Sequence, residues 1–134
     1  MAEATATTAP SGTFVWNEIG TGDVEACKAF YTSLFDWTTR DMDMGPNGTY
    51  TIFQNGGRDV GGLYRMNAQQ LQMGVSPHWL TYVGVEDVDA SARKAETIGG
   101  RVIVPPTDIP NTGRFAVLSD PTGATFAIYK GLQG

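Results

Sequence analysis

Few side chains in this 134-residue chain are equipped for chemistry. The single histidine, His78, opens the stretch "HWLTYVGV". An imidazole with an ordinary pKa of about 6.5 can ligate a metal, act as a general base or wall a pocket, and all three readings are open here. Glu18 lies in "FVWNEIG" between apolar residues. A carboxylate buried there would rise in pKa, and could serve as a base or hold a cation. Arg114, in "NTGRFAVLSD", has the planar fork that grips an anionic group, or it pairs with an acid such as Asp120. Trp16, Tyr82 and Tyr129 offer large rings with polar edges, suited to small-molecule contact or to core packing. The lone cysteine, Cys27, falls at an apolar helical position and reads as a small buried hydrophobe. The sequence has no phosphate loop, dinucleotide fingerprint, Gly-x-Ser-x-Gly elbow or paired-cysteine spacing.

Composition narrows the classes further. The net charge of −5 argues against a sequence-independent nucleic-acid partner, which needs a basic surface. One cysteine excludes an internal disulfide framework. A hydrophobic content of 41% supports a packed core, and no apolar run approaches the roughly 20 residues that span a bilayer. The opening "MAEATATTAPSG" lacks a basic and apolar leader pattern, so residues 1–11 read as a disordered arm and a cytoplasmic location is the expectation.

The elements that would position these residues repeat. "FVWNEI" is a strand pattern, followed by candidate N-caps Thr21 and Asp23. Val24, Cys27, Phe30, Tyr31 and Leu34 then recur at helical spacing, giving one apolar face. Asn47-Gly48 and Asn55-Gly56 mark hairpin turns around "TYTIFQ", and "DVGGLYRM" is a further strand, so the order is β-α-β-β-β. "QQLQMGVSP" reads as a linker. The pattern then recurs. "HWLTYVGV" is a strand, "EDVDASARKAETIGG" a helix capped by Asp87 and stopped by Gly99-Gly100, and "RVIVPP", "GRFAVLSD" and "ATFAIYKG" are strands. A gapless shift of 64 places Asp23 on Asp87, Phe53 on Val117 and Leu63 on Ala127. Two modules follow, at about 12–67 and 77–131, within one domain over 12–134.

"FVWNEIGTGDVEACKAFYTSLFDW", "WLTYVGVEDVDASARKAETIGG" and "GRFAVLSDPTGATFAIYKG" resemble the vicinal oxygen chelate superfamily, which includes glyoxalase I, extradiol dioxygenases and the fosfomycin- and bleomycin-resistance proteins. The resemblance runs from about Thr13 to Gly131. It implies an α+β fold in which two βαβββ modules form an open curled sheet, a cup, with the helices outside. Strand alternation then assigns Trp16 and Glu18, His78 and Tyr82, and Ala127 and Tyr129 to the cup, and Phe126 and Ile128 to the helices.

The resemblance also implies four metal-ligand positions, here filled by Trp16, Leu63, Leu80 and Ala127, none of which coordinates an ion. A metal-independent protein without a cofactor is therefore expected. It would bind an amphipathic or aromatic small molecule through Trp16, Glu18, His78, Tyr82, Arg114 and Tyr129, and pair as a homodimer without nucleic-acid or membrane partners. The alternatives are an enzyme of the superfamily (a lyase, isomerase or dioxygenase, with Glu18 or His78 as catalytic candidates) and a scaffold with an occluded cup.

Overall fold

In the computed structural model, which describes residues 9–132, Asp23 and Asp87 cap two helices that begin one residue later. Each aspartate accepts a backbone N–H three residues on, Ala26 at 3.1 Å and Ala90 at 2.9 Å, which satisfies a donor the first helical turn leaves unpaired. The elements are β1 (Phe14–Thr21), α1 (Val24–Phe35), β2 (Thr38–Asp43), β3 (Thr49–Asn55), β4 (Arg58–Arg65), α2 (Ala68–Gln72), β5 (His78–Gly84), α3 (Val88–Thr97), β6 (Arg101–Ile109), β7 (Gly113–Ser119) and β8 (Thr125–Gly131). The order is βαβββ twice, and the class is α+β with mixed parallel and antiparallel pairing. The first eight residues of the expected arm lie outside the described residues.

The chain divides into two compact units, Asn17–Trp79 and Met1–Trp16 with Leu80–Gly134. In the first, the strand order is β2-β3-β4-β1, with β1 parallel to β4. Ile19, Phe53 and Leu63 point to α1 and form the core with Val24, Cys27, Tyr31 and Trp37. Phe53 and Leu63 have no exposed surface, a burial that stabilises by roughly 1.5–3 kcal/mol per side chain. In the second unit the order is β5-β8-β7-β6, with β5 parallel to β8. Ala116, Leu118 and Ile128 pack under Val88 and Ala92 of α3, with Phe126 beside them, as the alternation predicts. Pro105 and Pro106 fall in β6, the last strand of that order, where a missing backbone donor is tolerated.

Three expectations need correction. The shift of 64 holds at the helix caps but not beyond them. Phe53 and Leu63 face α1, whereas Val117 and Ala127 lie in the alternate set from the α3-facing residues Ala116, Leu118 and Ile128. The parallel pairs Glu18↔Gly62 and Tyr82↔Ala127 make Gly62 the counterpart of Ala127, an offset of 65 (127 minus 62). The second unit thus carries one extra residue between helix and third strand, a stretch that includes β6 and its register shifts at Val102/Val104 and Val104/Thr107.

The linker is the second correction. It contains α2, started by a capping box in which Asn67 and Gln70 exchange side-chain and backbone hydrogen bonds. Third, the apolar face of α1 is only partly covered. Val24, Cys27 and Tyr31 pack inward, while Phe30 and Leu34 keep 58% and 57% of their surface. Among the described residues no helix is long and apolar enough to cross a membrane.

Candidate functional site

In the unit Asn17–Trp79, the sheet face away from α1 carries Glu18 and Gly20 on β1, Gly62 and Tyr64 on β4, and Tyr50 and Ile52 on β3. The pairs Glu18↔Gly62, Gly20↔Tyr64 and Ile52↔Gly62 fix this arrangement. Glu18 and Tyr50 are both buried, and the Tyr50 hydroxyl donates to Glu18 Oε1 at 2.8 Å. Gly62 makes room for this bond, because a Cβ there would collide with the Tyr50 hydroxyl. Gly20 plays the same part for Tyr64, whose ring would lie 2.7 Å from an added Cβ. The Tyr64 phenol is raised above its ordinary pKa. Burial is the main cause, a hydrogen bond from Gln70 opposes it, and the negative charge of Glu18 adds to it. Gln70 is itself held by the α2 capping box.

Neither Tyr50 nor Tyr64 was singled out by the sequence reading. The signal was present in the glycines. Gly61-Gly62 within "DVGGLYRM" interrupts a strand, and a strand glycine often marks the close approach of another group.

In the other unit, Tyr82 pairs in register with Ala127, and Ala127 with Val117. The Tyr82 and Tyr129 rings meet edge to face, with centroids 6.4 Å apart, as the alternation predicts. Burial raises the Tyr129 phenol, and its hydroxyl donates to the Thr112 carbonyl at 3.1 Å. Trp16, Leu80 and Ala127 are buried.

The structure does not bring Arg114 to Tyr129. Arg114 is opposite Lys130 in the alternate set that includes Ala116 and Leu118, on the α3 side. Its Nε and Nη2 donate to the two carboxylate oxygens of Asp89 at 2.7 and 3.0 Å, and Nη1 donates to Asp108 at 2.8 Å. The fork therefore ties the first turn of α3 to the β6–β7 hairpin. Asp120, the acid first considered as its partner, is used locally. It accepts hydrogen bonds from Thr122 and Ala124, which closes the "DPTGA" turn and lowers its pKa.

His78, in the same unit as Glu18, makes a local contact. Its Nδ1 lies 2.8 Å from the Ser76 carbonyl, which can only accept, so Nδ1 carries the proton. Leu63, expected among the ligand positions, belongs instead to the core beneath α1, and Gly62 takes its place in the register. Among the described residues no three His, Cys, Asp or Glu side chains group so as to hold a metal ion. Cys27, on the inward face of α1, is half-buried, and burial pushes its thiol up, away from nucleophilic use.

Comparison with known proteins agrees with this architecture. A family model described as "Glyoxalase/Bleomycin resistance protein/Dioxygenase superfamily" matches residues 13–128. The chain is 41% identical over 120 residues to the Mycobacterium bovis protein named "Putative glyoxylase CFP32", covering 90% of this chain and 44% of that protein. It is 35% identical over 129 residues to the "Anthracycline biosynthesis protein DnrV" of Streptomyces peucetius, covering 89% and 47%. The chain thus spans less than half the length of each. Among solved structures, a hypothetical protein from Bacillus halodurans aligns with a TM-score of 0.70 at 14% identity, over 93% of this chain and 98% of the other. A methylmalonyl-CoA epimerase from Mycobacterium tuberculosis aligns with 0.66 at 14% identity, over 98% and 97%. At these identities the structural likeness concerns the fold alone.

Proposed function

The chain belongs to the glyoxalase/bleomycin resistance protein/dioxygenase superfamily, and from that premise we propose that it is a metal-independent binder of an amphipathic or aromatic small molecule. The observation that supports metal independence most directly is the residue set Trp16, Gly62, Leu80 and Ala127. Three are apolar and one has no side chain, so none replaces the bonds an ion loses on leaving water. The edge-to-face contact of Tyr82 with Tyr129, and the burial of Trp16, support an aromatic ligand class. On this reading Tyr82 and Tyr129 contact the ligand within their own unit, Glu18 and His78 are the candidate polar contacts of the unit Asn17–Trp79, and Arg114 is left to its structural role. The word "anthracycline" in the name of the Streptomyces relative fits the same class, since anthracyclines are fused aromatic systems.

A homodimer is part of the proposal. The exposed Phe30 and Leu34, with Phe35 beside them on α1, form an apolar strip of the kind that a second copy covers. Sedimentation at tens of micromolar should give a dimer that Phe30→Asp dissociates.

The ligand reading is tested with 2-naphthol as probe, followed by tryptophan fluorescence. Saturable binding should persist after chelator treatment and weaken about tenfold in Tyr82→Ala, which corresponds to roughly 1.4 kcal/mol. Absence of saturable binding, or its loss on chelation, overturns the reading.

A further inference from the structure

The chain contains two Asn-Gly bonds, Asn47-Gly48 and Asn55-Gly56, and the fold gives them different settings. An asparagine followed by glycine can lose its side-chain amide, because the small residue lets the next backbone nitrogen reach the side-chain carbonyl carbon. That nitrogen must give up its proton to attack, and a hydrogen bond from its N–H holds both proton and nitrogen in place. The Gly48 N–H makes such a bond. It donates to the Gly45 carbonyl at 3.0 Å and closes the 3-10 turn Gly45–Asn47, which Pro46 stiffens. Asn55 instead ends β3 and pairs with Arg58, the first residue of β4, across Gly56 and Gly57 at φ 59° and 81°. Such a two-residue loop matches the twist of its strands, and among the described residues no turn bond holds the Gly56 N–H. Residues 55–58 are all exposed, and nothing lies within 4 Å of where a Cβ on Gly56 or Gly57 would stand. A hairpin tip is also where local opening costs least, and opening lets Asn55 leave its extended conformation for the bent one that ring closure needs.

We propose that Asn55 is a site of spontaneous deamidation and isoaspartate formation, and that in the folded chain it reacts ahead of Asn47. The Gly56 nitrogen gives its proton to solvent base and bonds to Asn55 Cγ. The Cγ–Nδ2 bond breaks, and the amide leaves as ammonia with a proton taken from water, which closes a succinimide ring. Water then opens the ring. Cleavage of the bond from nitrogen to Cγ leaves aspartate, and cleavage of the bond to the backbone carbonyl carbon leaves isoaspartate, with the chain routed through Cγ. The net exchange is one water in and one ammonia out, and nothing is oxidised or reduced. Either product places a negative charge opposite Arg58. Isoaspartate also lengthens the main chain by one carbon beside Gln54, whose amide donates to Asp59 at 2.9 Å, and Arg40 donates to the same carboxylate at 2.9 Å. Isoaspartate at this corner therefore loosens the cluster of Arg40, Gln54 and Asp59.

The test incubates the full chain in mildly alkaline buffer, once folded and once unfolded in guanidinium chloride, and follows amide-to-acid conversion by peptide mass analysis. In the folded chain conversion at Asn55 should be at least about tenfold faster than at Asn47, a barrier difference of roughly 1.4 kcal/mol. In the unfolded chain the two rates should converge, because the dipeptides are the same. Asn55→Gln, whose longer side chain closes its ring slowly, should remove the fast conversion from the folded chain. Methyl transfer by an isoaspartyl methyltransferase should mark isoaspartate at position 55 and separate it from aspartate. The fraction that carries it should unfold at lower urea than the fresh chain. Equal rates at the two sites in the folded chain, faster conversion at Asn47, or conversion at Asn55 only after unfolding overturns the proposal. An unchanged urea midpoint overturns the link to Asp59.

Discussion

Tyr50 and Glu18 stand 32 positions apart in sequence, and they meet as donor and acceptor at 2.8 Å in a buried setting. The bond exists because β3 and β4 pair so that Ile52 faces Gly62, and β1 and β4 so that Glu18 does. A glycine in the middle leaves the gap the phenol crosses. Tyr50→Phe keeps the ring and removes the donor. The expected loss is about 1–3 kcal/mol, the usual cost of leaving a buried polar partner short of a bond. Gly62→Ala should cost at least as much, because the new Cβ and the hydroxyl cannot share that space. Urea denaturation of both variants measures this. A loss below about 0.5 kcal/mol in both would mean that the bond is incidental.

Trp16 is 3% exposed, whereas His78 is partly exposed and bonded to a carbonyl two residues back. Trp16→Ala should therefore lower stability by roughly 3–5 kcal/mol, and His78→Ala by less than about 1 kcal/mol. Thermal melts separate the two directly. Equal losses would give His78 a structural weight that its local bond does not explain.

Much of the fold could be read in advance because its signals are local. The aspartates at 23 and 87 cap helices by reaching three residues forward, and period-two alternation separates Phe126 and Ile128 from Ala127 and Tyr129. What escaped depends on pairing between distant segments. One extra residue before the later strands of the second unit moves Leu63 from a supposed ligand position into the core, since a slip of one residue reverses every side chain. Tyr50 and Tyr64 escaped because their role depends on which glycine the neighbouring strand presents. Arg114 was legible as a forked contact, but its partner lies 25 residues away on α3, beyond the reach of local pattern.

Acid should weaken the fold through Asp59 and Asp89. Arg40 donates to Asp59 at 2.9 Å, Gln54 donates to its other oxygen, and these bonds hold the Asp59 carboxyl below its ordinary range. Arg114 does the same for Asp89. A carboxylate with a lowered folded pKa stabilises the fold above the unfolded value of about 3.9, and that contribution is lost as pH falls through the folded value. Stability should thus be nearly flat from neutrality to about pH 5 and then decline. Asp59→Asn should be less stable at neutral pH and show a shallower acid slope. A slope unchanged by this variant would remove Asp59 from the account.

The metal question has a decisive outcome in solution. Chelator-treated protein titrated with zinc, nickel, manganese and iron(II) should show no stoichiometric micromolar binding. Micromolar affinity corresponds to about 8 kcal/mol, and catalytic zinc normally takes three protein ligands plus water or substrate. His78 offers one imidazole whose Nδ1 is committed to the Ser76 carbonyl, leaving only Nε2 as a donor atom. Glu18 is engaged by Tyr50, and Trp16, Gly62, Leu80 and Ala127 carry no ligating side-chain atom. Glu18 and His78 together would be two ligands, one short of the usual set. Stoichiometric binding that vanishes in His78→Ala would overturn metal independence and turn the reading of this chain toward a metal-dependent enzyme of its superfamily.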